Sequence, residues 1–120
     1  MAKERRRFSR SSQPVEAHYR LARDLGTSWM SVTTVNISAA GVRFRGPDPV
    51  DAGVSLELRL QLPGSHQPLE VRGRVVWSKM QASGVVECGV EFLDISVQQQ
   101  TQIDRLVEFL GKDPGAFPPP

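Results

Sequence analysis

The sequence predicts a mainly β fold: a small six-stranded antiparallel β-barrel with one C-terminal α-helix and a flexible basic N-terminal arm. Three observations carry that expectation. Six short segments alternate apolar and polar residues with period two, no long crossover separates them, and only the last apolar pattern changes to helical spacing. A chain of 120 residues has room for one core and not two. Closing the sheet on itself is the economical way to remove its edges at that length.

The first strand is VEAHYRL, where Val15, Ala17, Tyr19 and Leu21 fall on one side and Glu16, His18 and Arg20 on the other. SVTTVNI (residues 31–37) and GVRFR (residues 41–45) are rich in β-branched and aromatic residues and are separated by Ser38, Ala39 and Ala40. VSLELRLQL alternates without a break: Val54, Leu56, Leu58, Leu60 and Leu62 face in, and Ser55, Glu57, Arg59 and Gln61 face out. A helix would scatter those leucines around its circumference, so the period outweighs leucine's helical preference. After the turn residues Pro63 to Pro68, LEVRGRVVW alternates through Leu69, Val71, Gly73, Val75 and Trp77. VVECGVEF then alternates through Val86, Cys88, Val90 and Phe92, with Glu87 and Glu91 outside.

The period changes in SVQQQTQIDRLVEFLG. Ile103, Leu106, Val107 and Leu110 stand at i, i+3, i+4 and i+7, Ser96 and Gln99 have the spacing of a capping box, and Gly111 with Pro114 supplies the stop. The domain is expected to span residues 13–111. Residues 112–120, DPGAFPPP with its preceding lysine, read as a disordered Pro-rich tail, or as a polyproline ligand for a partner.

Charge is distributed unevenly. Up to Arg23 there are seven Lys/Arg against Glu4 and Glu16, a net of +5, which leaves −3 on the other 97 residues of a chain whose formal charge is +2. Residues 1–12 hold four arginines in the stretch RRRFSR, whose mutual repulsion favours a solvated arm unless something anionic meets it. A protein coating a nucleic-acid polymer would spread its basic stripe over a folded face with interleaved aromatics. Here only Phe8 interrupts the arginines, so a compact anion is the better partner, and no nucleic-acid polymer is expected.

Other classes are weakly supported. The single Cys88 allows no internal disulfide and no zinc cluster, and the natural setting is cytoplasmic. No apolar run approaches 18 residues and no hydrophobic segment follows the arginines, so neither membrane insertion nor a signal peptide is expected. His18 and His66 lack ligand-spaced neighbours, Asp104 and Glu108 are ordinary helix acids, and Ser9, Ser11 and Ser12 have no nucleophile-elbow context. No enzyme, metal or cofactor is expected.

The motif Asn36-Ile37-Ser38-Ala39-Ala40-Gly41 lies at a strand junction. In an extended chain Asn36 and Ser38 point the same way and offer an amide and a hydroxyl to one ligand, while Gly41 permits either a positive φ or a close approach that a Cβ would block. Equally, Asn, Ser and Gly are common turn residues and can do no more than build a hairpin.

Arg6 to Arg10 reads R-x-x-x-R and Asn36 to Gly41 reads N-x-S-x-x-G, with 25 residues between. This pair, in that order and spacing and followed by six strands and a helix, resembles the signature of the PilZ domain family from about Arg5 to Leu110. GRVVW and GVEFLDIS look like further strands of that family. The resemblance implies a bacterial receptor that binds cyclic di-GMP through Arg5, Arg6, Arg10, Asn36, Ser38 and Gly41 and relays the signal by conformational change to a partner protein. Trp77 would be either a wall beside the ligand or, alternating with Val75, a core aromatic. The alternative within the family is an adaptor that acts through protein contacts without nucleotide.

Overall fold

The computed structural model describes residues 10–11, 15–23, 28–47, 49–62 and 66–111, with Arg10 described in its backbone only. Within these lie β1 (Arg10–Ser11), β2 (Glu16–Leu21), β3 (Met30–Ser38), β4 (Gly41–Gly46), β5 (Ser55–Leu60), β6 (Leu69–Met80), β7 (Val86–Leu93) and α1 (Val97–Leu110). Every pairing is antiparallel, in the order β1-β3-β2-β5-β6-β7-β4, and β4 pairs back onto β3. That last pairing closes β2 to β7 into the expected six-stranded barrel, with the helix at the C-terminus.

The alternating leucines of β5 set the pattern of the interior. Leu56, Leu58 and Leu60 are fully buried, and they share one core cluster with Ile37, Phe44 and Val75 from other strands of the barrel. Tyr19 stacks on Phe44 with ring centroids 5.3 Å apart. Burying such a side chain is worth about 1.5–3 kcal/mol, so this set dominates the fold's stability. The outer faces carry cross-strand ion pairs, among them Arg20 with Glu57 at 2.9 Å and Arg59 with Glu70 at 3.0 Å, and both guanidinium groups lie over the ring of Trp29. Pairs of this kind, partly or largely open to solvent, each contribute roughly 0–1 kcal/mol, so they tune the surface and do not build the barrel.

β1 is a two-residue strand inside the 1–12 segment expected as a solvated arm. Arg10 pairs with Ser38 and Ser11 with Ile37. At those two positions the other edge of β3 is taken by β4, so β1 lies on the edge that β2 occupies further along. Ser11 is fully buried. The described end of the expected arm is therefore docked on the barrel; residues 1–9, like the expected tail at 112–120, lie outside the described residues.

α1 packs against β1 and β3 and buries Ile103, Leu106 and Val107, three of the four positions of the helical period. The capping box forms as its residues predict: Gln99 N donates to Ser96 Oγ and Ser96 N to Gln99 Oε1, each at 3.0 Å. Gln99 Nε2 also donates to the Glu70 carbonyl at 3.0 Å and ties the helix start to β6. Gly111 ends the helix at φ 93°, a left-handed value that glycine adopts without penalty. Ser96→Ala is expected to cost about 1 kcal/mol, read as a lower midpoint in thermal unfolding.

Candidate functional site

Strict alternation would put Val32, Thr34, Asn36 and Ser38 on the same face of β3. Val32 and Thr34 are indeed buried. Between Thr34 and Asn36, however, the register against β4 slips by one: Thr34 pairs with Phe44 but Asn36 pairs with Arg43, which leaves Val35 as an extra residue. A bulge of this kind reverses the facing of everything after it. Ile37 turns into the core, and Asn36 and Ser38 turn to the outer side of the strand, where both, though only 9% and 5% exposed, line one shallow depression of about 330 Å³.

β6 repeats the device. Val75 pairs with Val90 and Trp77 with Gly89, so Val76 is the extra residue. Trp77 thereby leaves the inward series of Leu69, Val71, Gly73 and Val75 and stands 38% exposed in the same depression. The inward reading of Trp77 is corrected, and the reason is the bulge. Its ring lies on Gly89: a Cβ there would come closer than 3.0 Å to the indole. Gly89 is the flat seat of the tryptophan, and a glycine inside a strand was the only sequence signal for it.

The two bulges and the barrel's closure assemble two rows across the surface. One runs Asn36, Arg43, Gly89, Trp77, and the next runs Arg10, Ser38, Gly41, Glu91, Arg74. Of the residues singled out from the sequence, Asn36, Ser38, Gly41 and Trp77 come together in the depression. Arg10 enters by backbone register opposite Ser38. Arg5 and Arg6 lie outside the described residues.

The polar groups are presented in usable form. Among the described residues the side chain of Asn36 has no hydrogen-bond partner, yet no fully buried side-chain polar atom is left unsatisfied, so its amide reaches the open side. Ser38 Oγ accepts from Ala40 N at 3.1 Å, which fixes the hydroxyl at the turn and leaves its proton to donate elsewhere. Phe92 N donates to the Ala40 carbonyl at 3.0 Å and pins that turn to β7. Gly41 does not have a positive φ; a Cβ there would come closer than 3.0 Å to the Val90 carbonyl oxygen. Of the two roles open to Gly41, close approach is the one realised, and what approaches is the neighbouring backbone.

Sequence reasoning missed the charges of this face. Glu91 is paired with Arg74, whose Nε lies 3.0 Å from Oε2. Glu87, expected on the exposed side, is 7% exposed beneath Arg43 and Arg45, at 3.7 and 3.2 Å. Two acids and three arginines largely neutralise one another here.

Elsewhere, no group of three or more metal-ligating side chains exists among the described residues. Burial pushes the Cys88 thiol up, with its hydrogen bond with Ser78 opposing the rise, so the thiolate needed for nucleophilic chemistry is disfavoured. Partial burial, then the charge of Glu108, raises the carboxyl of Asp104. No described helix is long and apolar enough to cross a membrane.

The PilZ domain family model matches residues 4–109. No curated protein matches the chain. Among solved structures, the chain is similar to the inhibitor of motility MotI/DgrA of Bacillus subtilis, with a TM-score of 0.68 and 17% identity over 86% of this chain. It spans half the length of that protein. It is also similar to the PilZ domain of Escherichia coli YcgR with c-di-GMP (TM-score 0.65, 16% identity, 88% of this chain and 91% of that one). A third similarity is to the K. pneumonia MrkH complex with c-di-GMP (TM-score 0.65, 11% identity, 87% of this chain and 50% of that one). At these identities the likeness is one of fold.

Proposed function

We propose that this chain, which belongs to the PilZ domain family, is a cytoplasmic receptor for cyclic di-GMP that catalyses no reaction and needs no cofactor. The observation that carries this reading is the convergence of Asn36, Ser38, Gly41 and Trp77 on one depression, with β1 bringing the backbone of Arg10 opposite Ser38. The family relationship and the fold-level likeness to two proteins solved with c-di-GMP support it.

The chemistry follows from the residue types. The ligand carries two phosphates and two guanines. The arginines of the arm, Arg5, Arg6 and Arg10, fork onto phosphate oxygens or onto the O6/N7 edge of guanine. Asn36 and Ser38 donate and accept at polar edges of the ligand, and the indole of Trp77 offers an apolar wall to a purine. Because the ion pairs of the barrel face are largely self-neutralised, the arm supplies most of the charge that an anion requires.

The same geometry suits a relay. α1 rests on β1 and β3, the two strands that carry Arg10 and the Asn36/Ser38 pair. A ligand gripping arm and barrel together orders the arm and loads the strands beneath the helix, and a partner protein reads the change.

Calorimetric titration with cyclic di-GMP at moderate salt, with GTP and a short single-stranded DNA as controls, tests the reading. Saturable binding of the cyclic dinucleotide alone is expected, and its stoichiometry gives the number of nucleotides held. Absence of heat together with an unshifted melting temperature would sink it. Ser38→Ala is expected to weaken binding by about 1–3 kcal/mol, the loss of one hydrogen bond to a polar or charged partner; unchanged affinity removes Ser38 from the site.

A further inference from the structure

Two ionisable side chains line the depression, Arg43 and Glu91. Glu91 is engaged by Arg74. Arg43 is placed differently, because it shares its carboxylate. Glu87 has a side chain only 10% exposed, and a charge so buried requires a cation beside it. It has two. Arg45 Nε lies 3.2 Å from Oε1 and donates a hydrogen bond, whereas Arg43 Nε lies 3.7 Å from Oε2, beyond hydrogen-bonding range.

One carboxylate balances one guanidinium, so this cluster keeps a positive charge in excess. The longer contact assigns the excess to Arg43, whose side chain is 46% exposed. Its strand register puts it between Asn36 on one side and Gly89, the seat of Trp77, on the other. Neighbouring strands are about 4.8 Å apart, so Arg43 stands roughly one strand spacing from Asn36 and two from Trp77, at the centre of the row.

Resting on the receptor reading above, we infer that Arg43 is a ligand contact supplied by the barrel wall itself, distinct from the arginines of the arm. Its guanidinium leaves Glu87 to Arg45 and turns onto a phosphate of the bound cyclic dinucleotide, where the planar fork pairs with two oxygens. Glu87 stays compensated throughout, so the exchange leaves no buried charge unpaired. Neither half of the R-x-x-x-R and N-x-S-x-x-G pattern includes this residue.

The test separates a direct contact from a structural one. Cyclic di-GMP is titrated into the full chain as wild type, Arg43→Ala, Glu87→Gln and the double variant Arg43→Ala/Glu87→Gln, with thermal unfolding of each. Arg43→Ala is expected to weaken binding at least tenfold. The double variant has no carboxylate left to compensate, so it keeps its fold, and it is expected to remain at least tenfold weaker than Glu87→Gln alone. Arg43→Ala within twofold of wild type, or a double variant equal to Glu87→Gln, would overturn the contact while leaving the receptor reading intact. A wild type that does not bind overturns the receptor reading itself, and this contact with it.

Discussion

Alanine at Arg6 or at Arg10 is expected to raise the dissociation constant for cyclic di-GMP about a hundredfold, equivalent to ~3 kcal/mol, with little change in the melting temperature of the ligand-free protein. Each arginine offers a rigid fork of donors to a phosphate or a guanine edge, and alanine leaves the acceptor without a partner. The fold is spared for a separate reason. β1 is joined to β3 through backbone pairing at Arg10 and Ser11, which Arg10→Ala preserves, and the fully buried member of that pair is Ser11. Calorimetry and thermal unfolding on the same preparations check both halves. Equal loss of binding and of fold would contradict a site built from a docked strand and an arm.

Gly41→Ala is expected to act in the opposite way, on the barrel first. A Cβ at Gly41 would press on the carbonyl oxygen of Val90, a backbone atom held in the β4–β7 ladder and unable to swing aside. The barrel must open at that seam or bend the strand. A cost of about 3 kcal/mol is expected, which lowers the melting temperature by roughly 10–20 °C in a domain of this size. Gly89→Ala is the control, since the atoms in its way belong to the half-exposed ring of Trp77, which can move. It should cost far less stability. If Gly41→Ala melts like wild type and only loses ligand, the glycine serves the ligand's approach and not the seam.

The two expectations show why one short motif mixes two kinds of requirement. Asn36 and Ser38 present their polar groups to the depression, while Gly41, three residues on, is demanded by the strand behind it. From the sequence the three could equally have formed a plain hairpin turn. Ala39 and Ala40 do form such a turn between Ser38 and Gly41, pinned through the Ala40 carbonyl to β7. The hairpin and the proposed site are one object.

Arg43 and Glu87 illustrate the limit of pattern reading. Both stand at outward positions of alternating strands, where a charge is ordinary and carries no signal. Only the pairing of β4 with β7 sets Arg43 and Arg45 over the same carboxylate and sinks Glu87 beneath them. For Trp77 the pattern left two readings open, since the alternation up to Val75 pointed it inward and only the bulge at Val76 turns it out.

What the sequence by itself determined is the six barrel strands, their closure and the C-terminal helix, though not the short strand β1. Six runs of period two, the change to helical spacing after Ser96, the capping box and the terminal glycine are local signals, and local backbone geometry obeys them. What only the tertiary structure decided is which way the site residues face. Each of Val35 and Val76 is one residue too many against its partner strand, and whether a strand absorbs an extra residue as a bulge depends on the register demanded by the strand beside it. Because side chains alternate with a period of two, that single residue turns Asn36, Ser38 and Trp77 from the barrel interior to its outer side.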